Sequence, residues 1–102
     1  MIHDPALRDA IARFIDEKKD LKAERAAEIL NTLCQLAGGT INLTEGRQKQ
    51  WFTCRATASF SGRDSRYIGS RMTSRDKKGA RLLAKRSVVL LIMHDYEYEE
   101  AK

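Results

Sequence analysis

The sequence has little proline, glycine, cysteine and histidine, with one Pro, six Gly, two Cys and two His among 102 residues. This composition excludes collagen-like and low-complexity chains, and the length leaves room for one compact domain. Cys34 and Cys54 are 20 residues apart, and His3 and His94 lie near opposite ends, so no zinc-ligand spacing is present. We therefore expect no metal ion, no cofactor and two reduced cysteines.

Long apolar runs are also absent. The longest one, Val88 to Met93, has six residues, whereas a helix needs roughly 20 to cross a bilayer. Residues 1–5 show no basic start followed by an apolar stretch, so no secretory signal is predicted. We expect an intracellular protein, in the cytoplasm or the nucleus, with no membrane partner.

Positive charge is concentrated in one part of the chain. Residues 1–50 carry eight basic and eight acidic side chains, whereas residues 55–86 carry ten basic and two acidic ones. A local positive field of this kind attracts polyanions and suits nucleic acid or an anionic membrane surface, although a solvated basic face without a partner has the same composition. The acidic end, residues 95–102, is expected to be a frayed tail.

Two helices are predicted before residue 40. Asp4 and Pro5 form a typical helix start, and the Gly38-Gly39 pair is a typical helix end. The apolar phase slips at residues 18–21, which favours two helices over one continuous helix from 5 to 37. Residues 1–20 are thus predicted to be an N-terminal helical extension. Its apolar stripe should dock on its own domain or on the same helix of a second chain, giving a homodimer; the stripe contains Leu7, Ile11, Phe14 and Ile15.

The remainder has the pattern of three strands and a helix. Residues 40–44, 51–58 and 66–72 are predicted strands, and residues 61–64 have the composition of a turn. Asp76 should cap a last helix whose apolar side includes Val88 and Leu91. The predicted fold is α+β: a three-stranded antiparallel sheet with helices packed on one face, in the order α-β-β-β-α, plus an additional N-terminal helix.

The start of the last helix has unusual charges. Lys77 and Lys78 occupy the first turn, where free amides and the helix dipole are already positive. Two cations there become favourable when an anion binds that end of the helix. Arg81 and Lys85 follow Lys77 at spacings of four and eight, which extends the cationic row along one face.

These residues carry a resemblance to a known family. Residues 77–85 resemble the KKxAKxxAA signature of the double-stranded-RNA-binding domain, with Arg81 in place of its third lysine and Lys85 in place of its last alanine. Phe52 and the Tyr67–Gly69 stretch agree with that family's spacing, as does the end of the preceding helix at Gly38. Residues 21–94 therefore resemble one such domain, with the acidic tail outside it.

The resemblance implies binding of double-stranded RNA by shape and phosphate contacts with little sequence specificity. Such a protein would shield RNA from RNA-processing machinery or present RNA to it. Three regions would contact the duplex. They are the start of the last helix with its flanks (Arg75, Lys77, Lys78, Arg81, Lys85), the loop between strands one and two (Arg47, Gln48, Lys49) and the helix before the sheet (Asn31, Thr32, Gln35).

No catalytic constellation accompanies these residues. The sequence has no catalytic carboxylate cluster, nucleophile elbow or phosphate-cradling glycine loop, so we expect a protein without enzymatic activity. Members of the resembled family can also serve as interaction modules. The alternative function is therefore a protein–protein interaction or dimerisation module with weak or no RNA binding.

Overall fold

The computed structural model describes residues 2, 4–60 and 66–101, so the predicted turn at 61–64 lies outside the described residues. The predicted α+β class is confirmed: helices pack on one face of an antiparallel sheet. The elements are α1 (Pro5–Ala12), a 3₁₀ segment (Ile15–Asp20), α2 (Ala23–Ala37), β1 (Gly39–Gln48), β2 (Trp51–Phe60), β3 (Arg66–Ile68), β4 (Met72–Ser74) and α3 (Lys77–Glu100).

Helix α1 docks on its own chain. The Asp4 side chain accepts a hydrogen bond from the Ala6 amide at 3.0 Å, which caps the helix as predicted. Leu7 and Ile11 are fully buried in the same core as the rest of the protein. The intramolecular arrangement is thus the one seen in this structure. Of the other residues considered for dimerisation, Phe14 and Ile15 are partly buried against that core.

The 3₁₀ segment separates α1 from α2, in agreement with two helices rather than one. Arg25 of α2 ties the segment down, because its Nε and Nη2 atoms donate to the Glu17 carboxylate at 2.7 and 3.0 Å. The same guanidinium lies 5.6 Å from the Phe14 ring centroid. Helix α2 ends at Gly38, whose φ of 67° is the left-handed conformation that glycine adopts without strain.

The sheet is a meander whose third strand is interrupted. Strands β1 and β2 pair antiparallel over ten residues each, and the short strands β3 and β4 both pair with β2. The single strand predicted over residues 66–72 is therefore wrong. Thr57 pairs with Ile68, but Cys54 pairs with Met72, so one extra residue lies between the two segments, as in a β-bulge.

The position of the bulge has a packing reason. The Gly69 amide still donates to the Ala56 carbonyl at 2.9 Å, which holds the backbone close to α3. A Cβ atom on Gly69 would lie 3.0 Å from the Val88 side chain and 3.2 Å from its amide nitrogen. A larger residue would push the strand away from the helix.

Helix α3 crosses the inner face of the sheet and is longer than predicted. It continues to Glu100, so the expectation of a frayed acidic tail is wrong for residues 95–100. Contacts explain the extension, because Tyr96 packs against the core and the Tyr67 hydroxyl donates to Asp95 at 2.8 Å. No helix within the described residues combines the length and apolar character needed to cross a membrane.

Candidate nucleic-acid interface

The N-terminus of α3 presents two adjacent cations, Lys77 and Lys78, and the Glu45 carboxylate lies near the first of them. Asp76 caps the helix as predicted, and its carboxylate accepts a hydrogen bond from the Gly79 amide. Lys77 and Lys78 are exposed, and no acidic side chain of the described residues forms an ion pair with either one. Cations beside the positive end of a helix oppose its dipole, so this end of α3 is suited to an external anion.

Arg81, one turn further along α3, is already engaged by a carboxylate. Its Nε and Nη2 atoms both donate to Glu45 of β1, the second at 3.1 Å. This pairing lowers the pKa of Glu45 and raises the pKa of Arg81, chiefly through the hydrogen bond. An anion that binds Arg81 therefore competes with Glu45 for the guanidinium.

Sequence reasoning missed Glu45, although a signal was present. Glu45 lies opposite Cys54 in the sheet register, on the inner face that also contains Leu43 opposite Ala56. An acidic residue on the inner face of a strand faces the helix layer, where the only adequate partner is a cation. The predicted first strand ended at residue 44, so the sequence analysis assigned Glu45 to neither face of the sheet.

The connection between β1 and β2 is much tighter than predicted. Arg47 and Gln48 belong to β1 and pair with Phe52 and Trp51, so their placement in a loop is wrong. The turn contains only residues 49 and 50, and Lys49 adopts a φ of 57° there. Burial alternates only as far as Leu43, and residues 44–48 of β1 are all exposed.

The tight hairpin nevertheless brings Arg47 close to α3. The Arg47 guanidinium lies 5.1 Å from the Phe52 ring centroid, and its Nε donates to the Lys49 carbonyl at 3.2 Å. Arg47 and Lys77 line one open groove of about 420 Å³ together with Glu45 and Phe52. Two of the three predicted regions thus meet at one end of the molecule.

The third predicted region does not line this groove. Asn31 and Gln35 are exposed on α2, and their side chains are open to solvent. The Thr32 hydroxyl donates to the Glu28 carbonyl at 3.1 Å, which leaves only its lone pairs for an incoming ligand.

The flanking cations differ in their surroundings. The Arg75 guanidinium stacks on the Trp51 ring, 5.4 Å from its centroid, so it is held at the end of β2. Lys85 is half-buried one turn after Arg81. Arg75 therefore lies against Trp51 of β2, in the segment just before α3.

The cysteines have the properties of structural residues. Both are free, and burial raises the pKa of the Cys34 and Cys54 thiols. A raised pKa keeps them as thiols at neutral pH, whereas nucleophiles and metal ligands need the thiolate. Among the described residues, no three His, Cys, Asp or Glu side chains are grouped so that they could hold a metal ion.

Comparison of the chain with protein-family models, with curated proteins and with solved structures finds no match.

Proposed function

We propose that this chain binds double-stranded RNA through phosphate contacts centred on the N-terminus of α3. The observation that carries the proposal is the exposed Lys77–Lys78 pair, which lies at a helix end and has no ion-pair partner within the described residues. Arg47 adds a third cation across the groove. Lys77 and Arg47 line one groove and Lys78 is exposed beside Lys77, an arrangement that suits a ligand with several closely spaced phosphates better than a single anion.

Duplex RNA fits this surface for a geometric reason. A-form RNA hides its base edges in a deep, narrow major groove, so proteins read it mostly by shape and by phosphate and 2′-hydroxyl contacts. A rigid α+β module with fixed cations supplies such contacts. Asn31 and Gln35 of α2 supply amide groups for 2′-hydroxyls, while the tight hairpin contributes Arg47 rather than an inserted loop. Such a protein would act in the cytoplasm or the nucleus, shielding RNA or presenting it to RNA-processing machinery.

A charge-matched pair of variants tests the assignment. Lys77→Ala with Lys78→Ala removes two cations from α3, and Lys19→Ala with Lys22→Ala removes two exposed cations from the segment before α2. Fluorescence anisotropy with one RNA duplex of about 16 base pairs gives the affinity at several salt concentrations. We expect only the first variant to weaken binding strongly and to flatten the salt dependence by about two units of slope.

Equal losses in the two variants would mean that net charge alone drives binding. If the Lys77 and Lys78 variant keeps the affinity and the melting temperature of the parent chain, RNA does not bind at this helix end and the proposal is wrong. Both outcomes contradict the role given to the helix end.

The second candidate is a protein-interaction module. One observation favours it: α3 exposes an apolar strip that the core does not use, with Leu91 at 41% and Tyr98 at 59% exposure. Under this alternative the full chain would bind neither duplex RNA nor single strands at moderate salt. Replacing Leu91 with serine would then change the oligomeric state of the chain or its binding to a protein partner. Under the main proposal, the same substitution would leave the affinity for RNA unchanged.

A further inference from the structure

The outer face of the sheet is a second cationic surface. The helices cover the inner face, where Cys54, Ala56 and Ala58 of β2 are buried. Side chains alternate along a strand, so Arg55 of β2 points to the opposite, uncovered face. Arg66 of β3 lies on the same face, since its partner Ser59 alternates with Ala58. Both arginines are exposed.

Two arginines meet in a cleft on this face. Arg55 follows Cys54 in β2, and Arg71 is the residue just before β4. Because Cys54 pairs with Met72, the two arginines lie side by side where that pairing ends. Both line an open cleft of about 270 Å³, together with Thr44 and Thr53. Two cations placed close together repel each other unless an opposite charge lies between them.

No side chain supplies that opposite charge within the described residues. Neither arginine forms an ion pair with a described acidic group. Glu45 lines the edge of the cleft, but its carboxylate is held by Arg81 on the inner side of the sheet. The cleft is therefore cationic, and the hydroxyl groups of Thr44 and Thr53 form part of its lining.

Guanidinium and hydroxyl groups together are the donors that bind phosphate best. Arginine forms paired hydrogen bonds to phosphate oxygens, and threonine hydroxyls add neutral ones. Gly46 keeps the cleft open, because a Cβ atom at this position would lie 2.9 Å from the Thr53 hydroxyl oxygen. The residue types and the open space therefore match a phosphate group.

The rest of the face suits a chain of phosphates. Trp51 lies on the same face, four residues before Arg55 and roughly 13 Å away at 3.3 Å per residue. Its ring carries the Arg75 guanidinium, and Arg66 lies towards the other end of β2. Cations along the whole strand favour an extended polyanion over a lone phosphate ion.

We propose that the outer sheet face is a second RNA-binding surface, which takes backbone phosphates of a further RNA segment in the Arg55–Arg71 cleft. One chain would then hold two RNA segments, one on each side of the sheet. That the polyanion is RNA rests on the proposed function, whereas the phosphate chemistry rests on the cleft itself.

The test uses the full chain and two duplexes, one labelled with a donor and one with an acceptor fluorophore. Energy transfer between them reports bridging, while light scattering counts the chains in each complex. The variants are Arg55→Ala with Arg71→Ala, and Thr44→Leu, which fills part of the cleft without changing the charge. Lys19→Ala with Lys22→Ala again controls for net charge. Trp51 is the only tryptophan, so its emission reports directly on this face.

The parent chain and the lysine control should bridge two duplexes with one chain per complex, and RNA should quench Trp51. Both cleft variants should lose bridging and most of the quenching, yet keep single-duplex affinity within about threefold and lose at most about two units of salt slope. The Lys77 and Lys78 variant should instead lose single-duplex affinity and keep the quenching at low salt.

Bridging and quenching that survive in both cleft variants would overturn the second surface while leaving the α3 site intact. A parent chain that binds no RNA would overturn both proposals. Quenching by vesicles of anionic phospholipid but not by RNA would show that the phosphates belong to a lipid surface, which contradicts the assignment to RNA.

Discussion

Replacing Glu45 with glutamine should strengthen RNA binding. In the free protein, Glu45 occupies the Arg81 guanidinium with two hydrogen bonds. A phosphate must displace this carboxylate before it can use Arg81. The substitution keeps the size of the side chain and removes its charge, so the competition is reduced while the packing stays the same.

The size of the effect follows from the exposure of the pair. Arg81 and Glu45 have side chains 44% and 33% exposed, so solvent screens the pair and its contribution is small. Relief of that competition should therefore raise the affinity by no more than a few-fold. The released cation should also steepen the salt dependence by up to about 0.9 units of slope.

The assay is anisotropy with a labelled RNA duplex at several salt concentrations, with Glu100→Gln as the control. Glu100 is exposed on the same helix, 19 residues from Arg81 and so roughly 28 Å away, beyond the screening length in physiological salt. An equal gain in both variants would reduce the effect to net charge. No gain in the Glu45 variant would refute the competition between Glu45 and RNA.

The pH dependence of stability gives an independent check on the same pair. The folded protein lowers the pKa of Glu45 below its ordinary value of 4.5, chiefly through the hydrogen bond from Arg81. The pair therefore stabilises the fold above pH 4.5 and loses this contribution as the pH falls through the lowered pKa. The difference in melting temperature between the parent and the glutamine variant should shrink on acidification.

Three further predictions concern stability, each measured by thermal or urea denaturation. Lys77→Ala with Lys78→Ala should leave stability unchanged or raise it by about 0.3–1 kcal/mol, because both cations oppose the helix dipole; the Asp76→Ala control should lose about 1 kcal/mol with its cap. Ile11→Ala should cost about 2–5 kcal/mol, since Ile11 is fully buried, and a negligible loss would mean that α1 is not docked in solution. Lys49→Gly should stabilise the hairpin by about 1 kcal/mol, because Lys49 adopts a positive φ; a destabilised variant would contradict this backbone conformation.

The sequence correctly predicted those features of the fold that depend on a single local rule, such as helix capping or strand alternation. Asp4 and Asp76 cap helices where the sequence placed them, and Gly38 ends α2. Alternation along β2 correctly assigned Cys54 and Ala56 to the buried face. Each of these inferences depends on a few neighbouring residues and on backbone geometry that other parts of the chain do not override.

Tertiary contacts explain the predictions that failed. The third strand is split because Gly69 must approach Val88 of α3, which no local pattern encodes. The acidic end remains helical because Tyr96 reaches the core. Leu91 matched the apolar period of the last helix but is exposed, since α3 buries the face that carries Val89 instead.

The candidate site was predictable only in part for the same reason. The cations of α3 could be identified from the sequence, because the helical period fixes their positions relative to one another. The Glu45–Arg81 pair joins a strand to a helix 36 residues away, and the Arg55–Arg71 cleft depends on the bulge between β3 and β4. Neither could be derived before the register of the sheet was known.

The most direct test compares the affinity of the full chain for two duplexes of one sequence and of about 16 base pairs, one of RNA and one of DNA, with single-stranded RNA as a third ligand. At moderate salt the account predicts clearly tighter binding to duplex RNA than to either of the others, with little change when the RNA sequence is altered. Equal affinity for the RNA and DNA duplexes would contradict recognition by shape and would leave only a general attraction between a basic surface and phosphate.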